Sequence, residues 1–183
     1  SAGDSLSWFR NTFAPDKSFD EVLEGIEDVV PGSNGLLFAP YIVGERTPYT
    51  DSKVRGTFIG IDKVHEFKDF ARAVVEGITF SLKDCFNIYN NCYEKEIISV
   101  GGGAKSKEWL QIQADIFNKK IISLKNEEGP SLGAAIVAAV SLNWFDSFED
   151  AVKLIVKEEE SFYPNKELVE IYEEVYNRYR KIY

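Results

Sequence analysis

Residues 96–111 read Glu96-Ile97-Ile98-Ser99-Val100-Gly101-Gly102-Gly103-Ala104-Lys105-Ser106-Lys107-Glu108-Trp109-Leu110-Gln111. The β-branched and apolar run at 97–100 predicts a short buried strand, and the apolar positions from Trp109 onward recur at helical spacing. A glycine-rich turn joins the two elements. Glycine lets a flat or anionic ligand approach the backbone, and the first turn of a helix offers unpaired N–H groups. The stretch therefore indicates an α/β fold and outlines a nucleotide site.

Neither of two common nucleotide motifs is complete in this turn. A P-loop requires glycine directly before its Lys-Ser pair, whereas Ala104 precedes Lys105-Ser106 here. A dinucleotide fingerprint requires a third glycine at the position of Ser106. A tight structural turn with close packing is therefore an alternative of about equal weight.

Composition limits the classes of function. The 183 residues fit one domain with a substantial core, and the apolar content of 44% is that of a globular protein. A net charge of −9 argues against nucleic acid or an anionic membrane as a partner. The sequence shows neither an apolar run of membrane-spanning length nor a signal-peptide pattern, so we expect a cytoplasmic protein.

The sequence offers few groups for catalysis or metal binding. His65 is the only histidine, and it cannot build a catalytic triad without another chain; we interpret it as a surface or capping residue. Cys85 and Cys92 would lie roughly 10 Å apart on a helix, too far for a disulfide. With no histidine beside them, they do not indicate a metal site either. We therefore assign no catalytic residue and no metal ligand.

Hydrophobic periodicity and turn residues predict the order of the elements. Strands are expected at 36–43, 56–61, 97–100 and 119–124, and helices at 4–13, 19–30, 66–92, from 107, from 132 with Ser131 near its cap, 148–159 and 165–183. The last two helices form a helical tail. Its tyrosines, Tyr172, Tyr176, Tyr179 and Tyr183, are spaced by about one helical turn, which is typical of packing.

Small and polar residues within these elements suggest local roles. Glycine in mid-helix costs about 1 kcal/mol relative to alanine, so Gly77 indicates a close crossing with another element. The adjacent Glu76 is expected on a solvated face. The small residues 133–135 predict packing of their helix against the sheet, with a bound ligand as the alternative.

Residues 44–51 form a polar loop that follows a predicted strand. Its charged residues Glu45, Arg46 and Asp51 are candidates for a cleft or a domain interface, because loops carry function more often than the elements that support them. The alternative is a local Glu–Arg or Asp–Arg pair that only holds the loop in shape.

Several segments, taken in order, resemble one family, the FGGY carbohydrate kinases, and within it the xylulokinases. The likeness covers essentially the whole chain but only the carboxy-terminal half of such a kinase. It is carried by Ala2-Gly3 with Trp8-Phe9-Arg10, residues 40–49 with Asp51 and Arg55-Gly56, residues 56–61 with Phe70, Ala73-Val74 and Glu76-Gly77, residues 101–106 with Trp109 and 114–116, and residues 128–130 with 132–135.

The resemblance implies a ribonuclease H-like α/β domain of the actin and hexokinase type, with a mixed sheet flanked by helices. Residues 1–183 would then form the C-terminal, nucleotide-binding half of the kinase. The N-terminal half, with the sugar site and the catalytic base, would lie outside this sequence. The nucleotide-binding residues implied are Gly3, Ser7, Gly101, Gly102, Gly103, Ala104 and Lys107.

The implied reaction transfers the γ-phosphoryl group of ATP to the 5-hydroxyl of D-xylulose. Mg²⁺ would neutralise the phosphates, and ADP would be released. The partner implied is the N-terminal half of the same kinase, and a homodimer is compatible with the family. This chain alone is expected to be inactive.

Two other functions remain open at this stage. The more similar alternative is a related kinase for gluconate or another sugar, because only the sequence of residues 40–49 favours xylulose. The other is a non-catalytic, actin-like regulatory domain, in which the turn at 101–104 would be structural and would bind no nucleotide.

Overall fold

The computed structural model describes residues 2–88, 95–125 and 129–183. Within these ranges the elements are α1 (Ala2–Phe13), α2 (Phe19–Leu23), β1 (Leu37–Ala39), β2 (Thr57–Ile59), α3 (Phe67–Ile88), β3 (Glu96–Ile98), α4 (Lys107–Phe117), β4 (Lys120–Leu124), α5 (Gly129–Ser141), α6 (Phe148–Ile155), β5 (Glu158–Phe162) and α7 (Lys166–Tyr179). Cys92 and most of the predicted turn at 126–130 lie outside the described residues.

Helix α3 is the central element. Its residues Val74, Val75 and Ile78 are fully buried, because α1, α4, α7 and β1 all pack against the helix. A Cβ added at Gly77 would lie 2.1 Å from the carbonyl oxygen of Phe38 in β1. The predicted close crossing is confirmed, and the partner is the backbone of a strand.

The strands form two sheets in the described part of the chain. In the smaller sheet β1 and β2 are antiparallel, with Phe38 opposite Phe58. In the larger one β3 and β4 are parallel, with Ile97 opposite Ile121, and β5 adds to β4 in the antiparallel direction. Since α4 connects β3 to β4, the glycine-rich turn lies at the carboxyl end of β3, where open α/β sheets bind ligands.

Two predicted elements are shorter in the structure because of single residues. The strand predicted at 36–43 ends at Ala39, just before Pro40, which cannot donate to a strand ladder. The helix predicted at 19–30 ends at Leu23, because Gly25 takes a left-handed conformation with φ of 78°.

The tail is not entirely helical. Helix α6 ends at Ile155, and the acidic residues that follow form β5, which pairs with β4. The prediction of helix up to Glu159 is therefore wrong at its end. Helix α5 begins at Gly129, so Ser131 lies inside its first turn and does not cap it.

The small-residue face of α5 does not pack on the sheet. Residues 133–135 are exposed, and a Cβ added at Gly133 would meet no atom within 4 Å. The side that packs inward carries Ile136 and Ala139 instead. The packing interpretation for the small residues is wrong for this chain.

A buried polar network joins α3 to α7, and it reverses the expectation for Glu76. This carboxylate is 1% exposed and accepts hydrogen bonds from Arg72 Nε, Tyr172 Oη, Ser33 Oγ and the backbone N–H of Gly32. Four donors offset the cost of burying the charge. Burial also raises the pKa of the Tyr172 hydroxyl, so it remains a neutral donor.

The tyrosines of the tail pack as predicted. Tyr172, Tyr176 and Tyr179 are all buried, and their rings surround Phe80 of α3. Across residues 2–88, 95–125 and 129–183, no helix combines the length and apolar character needed to cross a membrane.

Candidate nucleotide site

A cavity of about 420 Å³ opens between the start of α1, α2 and the glycine-rich turn. It brings together five of the residues expected at a nucleotide site, although α1 and the turn are about a hundred positions apart in the sequence. These five residues are Gly3, Ser7, Gly101, Gly102 and Gly103. The size is within the range of about 300–1,000 Å³ that is usual for small-molecule sites.

Each glycine of the turn occupies its position for a different structural reason. Gly101 has a φ of 85°, a conformation that side chains rarely adopt. A Cβ at Gly102 would meet no atom within 4 Å, so the backbone there is open to a ligand. At Gly103 a Cβ would lie 3.1 Å from the indole ring of Trp109. The turn is thus bare on its cavity side and closely packed at Gly103.

The indole of Trp109 forms a fixed wall of the cavity. Its Nε1 donates to the hydroxyl of Thr79, 3.0 Å away, and that hydroxyl donates to the carbonyl oxygen of Val75. Both Trp109 and Thr79 are buried. This chain of hydrogen bonds connects the wall of the cavity to α3.

The start of α4 also borders the cavity, through its capping residue Ser106. The Ser106 hydroxyl accepts the backbone N–H of Trp109 at 3.2 Å and donates to the carboxylate of Glu108. One orphan N–H of the helix is therefore satisfied by the cap. The positive end of the helix dipole still favours negative charge at this edge.

Helix α1 is anchored so that Gly3 and Ser7 stand at the rim of the cavity. Leu6 and Phe9 are buried in the main core, and the Ser5 hydroxyl donates to the carbonyl oxygen of Pro40 at 3.0 Å. A Cβ at Gly3 would meet nothing within 4 Å, so the backbone of the first turn of α1 is accessible.

The structure places Ala104 and Lys107 outside the cavity that the other five predicted residues line. Both line a neighbouring cavity of about 490 Å³, together with Ser123 and Glu160. Lys107 Nζ lies 2.7 Å from the carboxylate of Glu160 in an exposed ion pair, and this hydrogen bond raises the pKa of Lys107. Because Ser99, Gly101 and Lys105 line both cavities, the two adjoin at the glycine-rich turn.

The loop at 44–51 borders a third cavity of about 600 Å³, which Glu45 and Arg46 help to line. The Glu45 carboxylate accepts the N–H groups of Arg46 and Thr47, at 2.6 and 3.1 Å. Asp51 likewise accepts the N–H of Lys53 at 2.7 Å. Backbone N–H groups thus donate to the carboxylates of the loop, in place of the Glu–Arg or Asp–Arg pair that the sequence left open as an alternative.

Helix α3 lies between this loop and the nucleotide cavity. Leu82 lines the nucleotide cavity, while on the other side Cys85 Sγ lies 3.1 Å from the carbonyl oxygen of Thr47 and Ser81 Oγ lies 3.5 Å from Glu45. One helix therefore supports both features.

Sequence reasoning missed several residues that line the nucleotide cavity. Gln113 could have been found, because it follows Trp109 by one turn of α4 and so shares its face. Phe19 and Asp20 of α2 and Leu82 of α3 could not, because nothing in their local sequence indicates which element they approach.

Comparison with known proteins agrees with this architecture. Residues 1–142 match the model of the C-terminal domain of the FGGY family of carbohydrate kinases. The chain is 47% identical to the xylulose kinase of Bacillus subtilis (strain 168) over 184 aligned positions, which cover 100% of this chain and 37% of that protein.

Two solved structures have the same fold. The ligand-bound xylulose kinase from Lactobacillus acidophilus superposes with a TM-score of 0.89 at 30% identity, over 98% of this chain and 37% of that one. The gluconate kinase from Lactobacillus acidophilus gives 0.88 at 31% identity, with the same coverage. The chain thus spans just over a third of the length of the relatives it matches. This chain belongs to the FGGY family of carbohydrate kinases and corresponds to their C-terminal domain, with the expected actin-like α/β fold.

Proposed function

We propose that this chain is the nucleotide-binding half of an ATP-dependent kinase that converts D-xylulose to D-xylulose 5-phosphate. The observation that carries the proposal is the 47% identity to a xylulose kinase across the whole chain. Such an enzyme would act in the cytoplasm, where ATP is available, and a homodimer is compatible with the proposal.

In this proposal the adenosine of ATP occupies the cavity between Gly3 and the glycine-rich turn. The fit rests on the bare backbone at Gly102, where a Cβ would meet no atom within 4 Å, and on the indole of Trp109 behind Gly103. A flat base can lie against such a surface. The N-terminal end of α4, where Ser106 caps one N–H group, favours the negative charge of the phosphates through the helix dipole.

Phosphoryl transfer depends mainly on positioning and on electrostatic stabilisation of the phosphates. Mg²⁺ would supply the electrostatic stabilisation of the phosphates. In the described part of the chain no group of three or more His, Cys, Asp or Glu side chains could hold a metal ion. We therefore propose that this half orients the nucleotide, and that the rest of the kinase holds the ion, the sugar and the carboxylate that accepts the hydroxyl proton.

Helix α5 supports the proposal that the other half of the kinase is the partner. The segment from Gly129 to Trp144 contains no charged residue, yet Val137 is 53% exposed and Trp144 is 73% exposed. A helix that is apolar on all sides is normally buried, and an exposed apolar patch of this kind marks an interface. We propose that the remainder of the kinase covers this face.

A kinase for gluconate is the second candidate. It is favoured by the near-equal superposition on a gluconate kinase, with a TM-score of 0.88 against 0.89 for a xylulose kinase. The fold of this half therefore does not distinguish the acceptors.

The test uses the longest natural chain that contains these residues. ADP release would be measured with D-xylulose, gluconate, glycerol and no acceptor. Release with D-xylulose alone supports the proposal, whereas release with gluconate alone transfers it to the second candidate. Nucleotide binding without release for any acceptor would favour a regulatory domain. If residues 1–183 alone released ADP in the presence of D-xylulose, this would contradict the proposal that the rest of the kinase holds the sugar and the catalytic carboxylate.

A further inference from the structure

The tyrosines of the tail continue beyond the core to the loop at 44–51. Tyr179 exchanges a hydrogen bond with Tyr41, which lies just before the loop, at 3.2 Å between the hydroxyl oxygens. Four residues further along, Tyr183 stacks on Tyr49 within the loop, with ring centroids 3.8 Å apart and planes 15° from parallel. Tyr183 also meets the ring of Tyr41 edge-on at 6.1 Å. The tail thus contacts the loop at its tip and at its base.

The anchor of this arrangement is rigid. Tyr176 donates to the buried carboxylate of Asp84 in α3, and Lys83 of the same helix pairs with Glu173 of α7. These contacts hold the end of α7 against α3. A ring on the segment that follows α7 therefore has a fixed position from which to support the loop.

The other supports of the loop come from within it and from α3. The carboxylates of Glu45 and Asp51 accept backbone N–H groups within or next to the loop, while Ser81 and Cys85 of α3 contact Glu45 and the carbonyl oxygen of Thr47. In contrast, the Tyr49–Tyr183 stack joins residues 134 positions apart (183 minus 49). It is the contact that ties the tip of the loop to the tail.

We infer that Tyr183 is a positioning residue: by stacking on Tyr49 it holds the loop at 44–51 in the shape that forms the wall of its cavity. This inference rests on the proposed function for its effect on the sugar, whereas its effect on the loop does not. The side chain of Tyr183 is 51% exposed, so its removal leaves the core intact.

The experiment compares Tyr183→Ala, Tyr183→Phe and the matched control Tyr163→Ala in the longest natural chain. Tyr163 is an exposed tyrosine of the tail whose ring faces Lys120 and not the loop. An aromatic pair corresponds to a factor of about 2 to 12 in an equilibrium. We expect Tyr183→Ala to raise the KM for D-xylulose by this factor without changing the KM for ATP. Phenylalanine retains the ring and should behave as the wild type.

A second measurement does not require activity. Trypsin cleavage after Arg46 and Lys53, followed by mass spectrometry, reports how often the loop opens. Tyr183→Ala should speed cleavage at these sites about 2- to 12-fold at an unchanged Tm. Unchanged cleavage, or a similar rise in both KM values together with a lower Tm, overturns the inference. If the wild type phosphorylates no sugar but the cleavage rates change as expected, the proposed function fails and the support of the loop by Tyr183 stands.

Discussion

Replacing Gly77 by alanine tests the crossing of α3 and β1 on which the fold depends. The new Cβ would lie 2.1 Å from the carbonyl oxygen of Phe38 and 3.2 Å from its Cβ, and real Cβ atoms essentially never approach another atom within 3.0 Å. The shortfall is at least 0.9 Å (3.0 minus 2.1). Helix and strand must therefore separate by roughly this distance, although Phe38 is buried and paired with Phe58.

Two terms of opposite sign determine the expected stability of Gly77→Ala. Alanine favours the helix over glycine by about 1 kcal/mol. Overpacking of a close-packed core costs about 1–3 kcal/mol, and an overlap with backbone belongs at the upper end. We expect a net loss of about 2 kcal/mol or more in the free energy of unfolding, which lowers the Tm by about 4–8 °C in a chain of this size.

The assay is urea and thermal unfolding of Gly77→Ala beside the matched variant Gly133→Ala. Gly133 is also inside a helix, but a Cβ there meets no atom within 4 Å, so this variant should be more stable than the wild type by up to about 1 kcal/mol. The reasoning is refuted if Gly77→Ala is as stable as the wild type, because the observed overlap then has no energetic consequence.

Three further predictions concern the buried network, the turn and pH. Glu76→Ala leaves Arg72 without its buried partner and should cost about 3–5 kcal/mol in a urea titration. Gly103→Val places bulk between the cavity and the indole wall, so calorimetric titration should show loss of ATP binding by a folded protein. Burial raises the pKa of Asp84 above its ordinary value of 3.8. The folded state thus binds this proton more tightly, and the resulting stability is lost as the pH rises through the folded pKa. Asp84→Asn should therefore gain stability relative to the wild type as the pH rises from about 4, until the raised pKa of the folded state is passed.

Each of these predictions has a result that would contradict it. If Glu76→Ala costs no more than Glu170→Ala at an exposed position of α7, the network does not stabilise the fold. ATP binding retained by Gly103→Val, with an unchanged circular dichroism spectrum, would remove the cavity from consideration as the nucleotide site. A constant difference in stability between Asp84→Asn and the wild type across the pH range would show that Asp84 titrates normally.

Local sequence was sufficient where neighbouring residues determine the structure. The strand, turn and helix around Gly101–Gly103 follow from β-branched residues, glycines and helical spacing, and the structure has them as β3, the turn and α4. The prediction that this strand is buried is wrong, because Ile98 is 53% exposed. Short-range patterns were misleading where a strand competes with a helix. Residues 158–162 form β5, because their backbone finds hydrogen-bond partners in β4, which lies far away in the sequence.

The candidate site divides in the same way. The glycines could be predicted from the sequence because their role depends on the backbone conformation of their own turn. The contribution of Asp20 and Leu82 to the same cavity was not visible, because it depends on where α2 and α3 pack. Ala104 and Lys107 belong to the same stretch as the glycines, yet the turn directs them into the neighbouring cavity.

The sequence by itself determined the α/β class, the glycine-rich turn and the close approach marked by Gly77, since each depends on the conformations and sizes of adjacent residues. Only the tertiary structure decided that Glu76 is buried, that the small-residue face of α5 is open, and that Tyr183 meets Tyr49. The physical reason is that burial and ring contact depend on which distant elements pack together. A charged residue such as Glu76 is stable in the core only because Gly32, Ser33 and Tyr172 bring their donors to it from other parts of the chain.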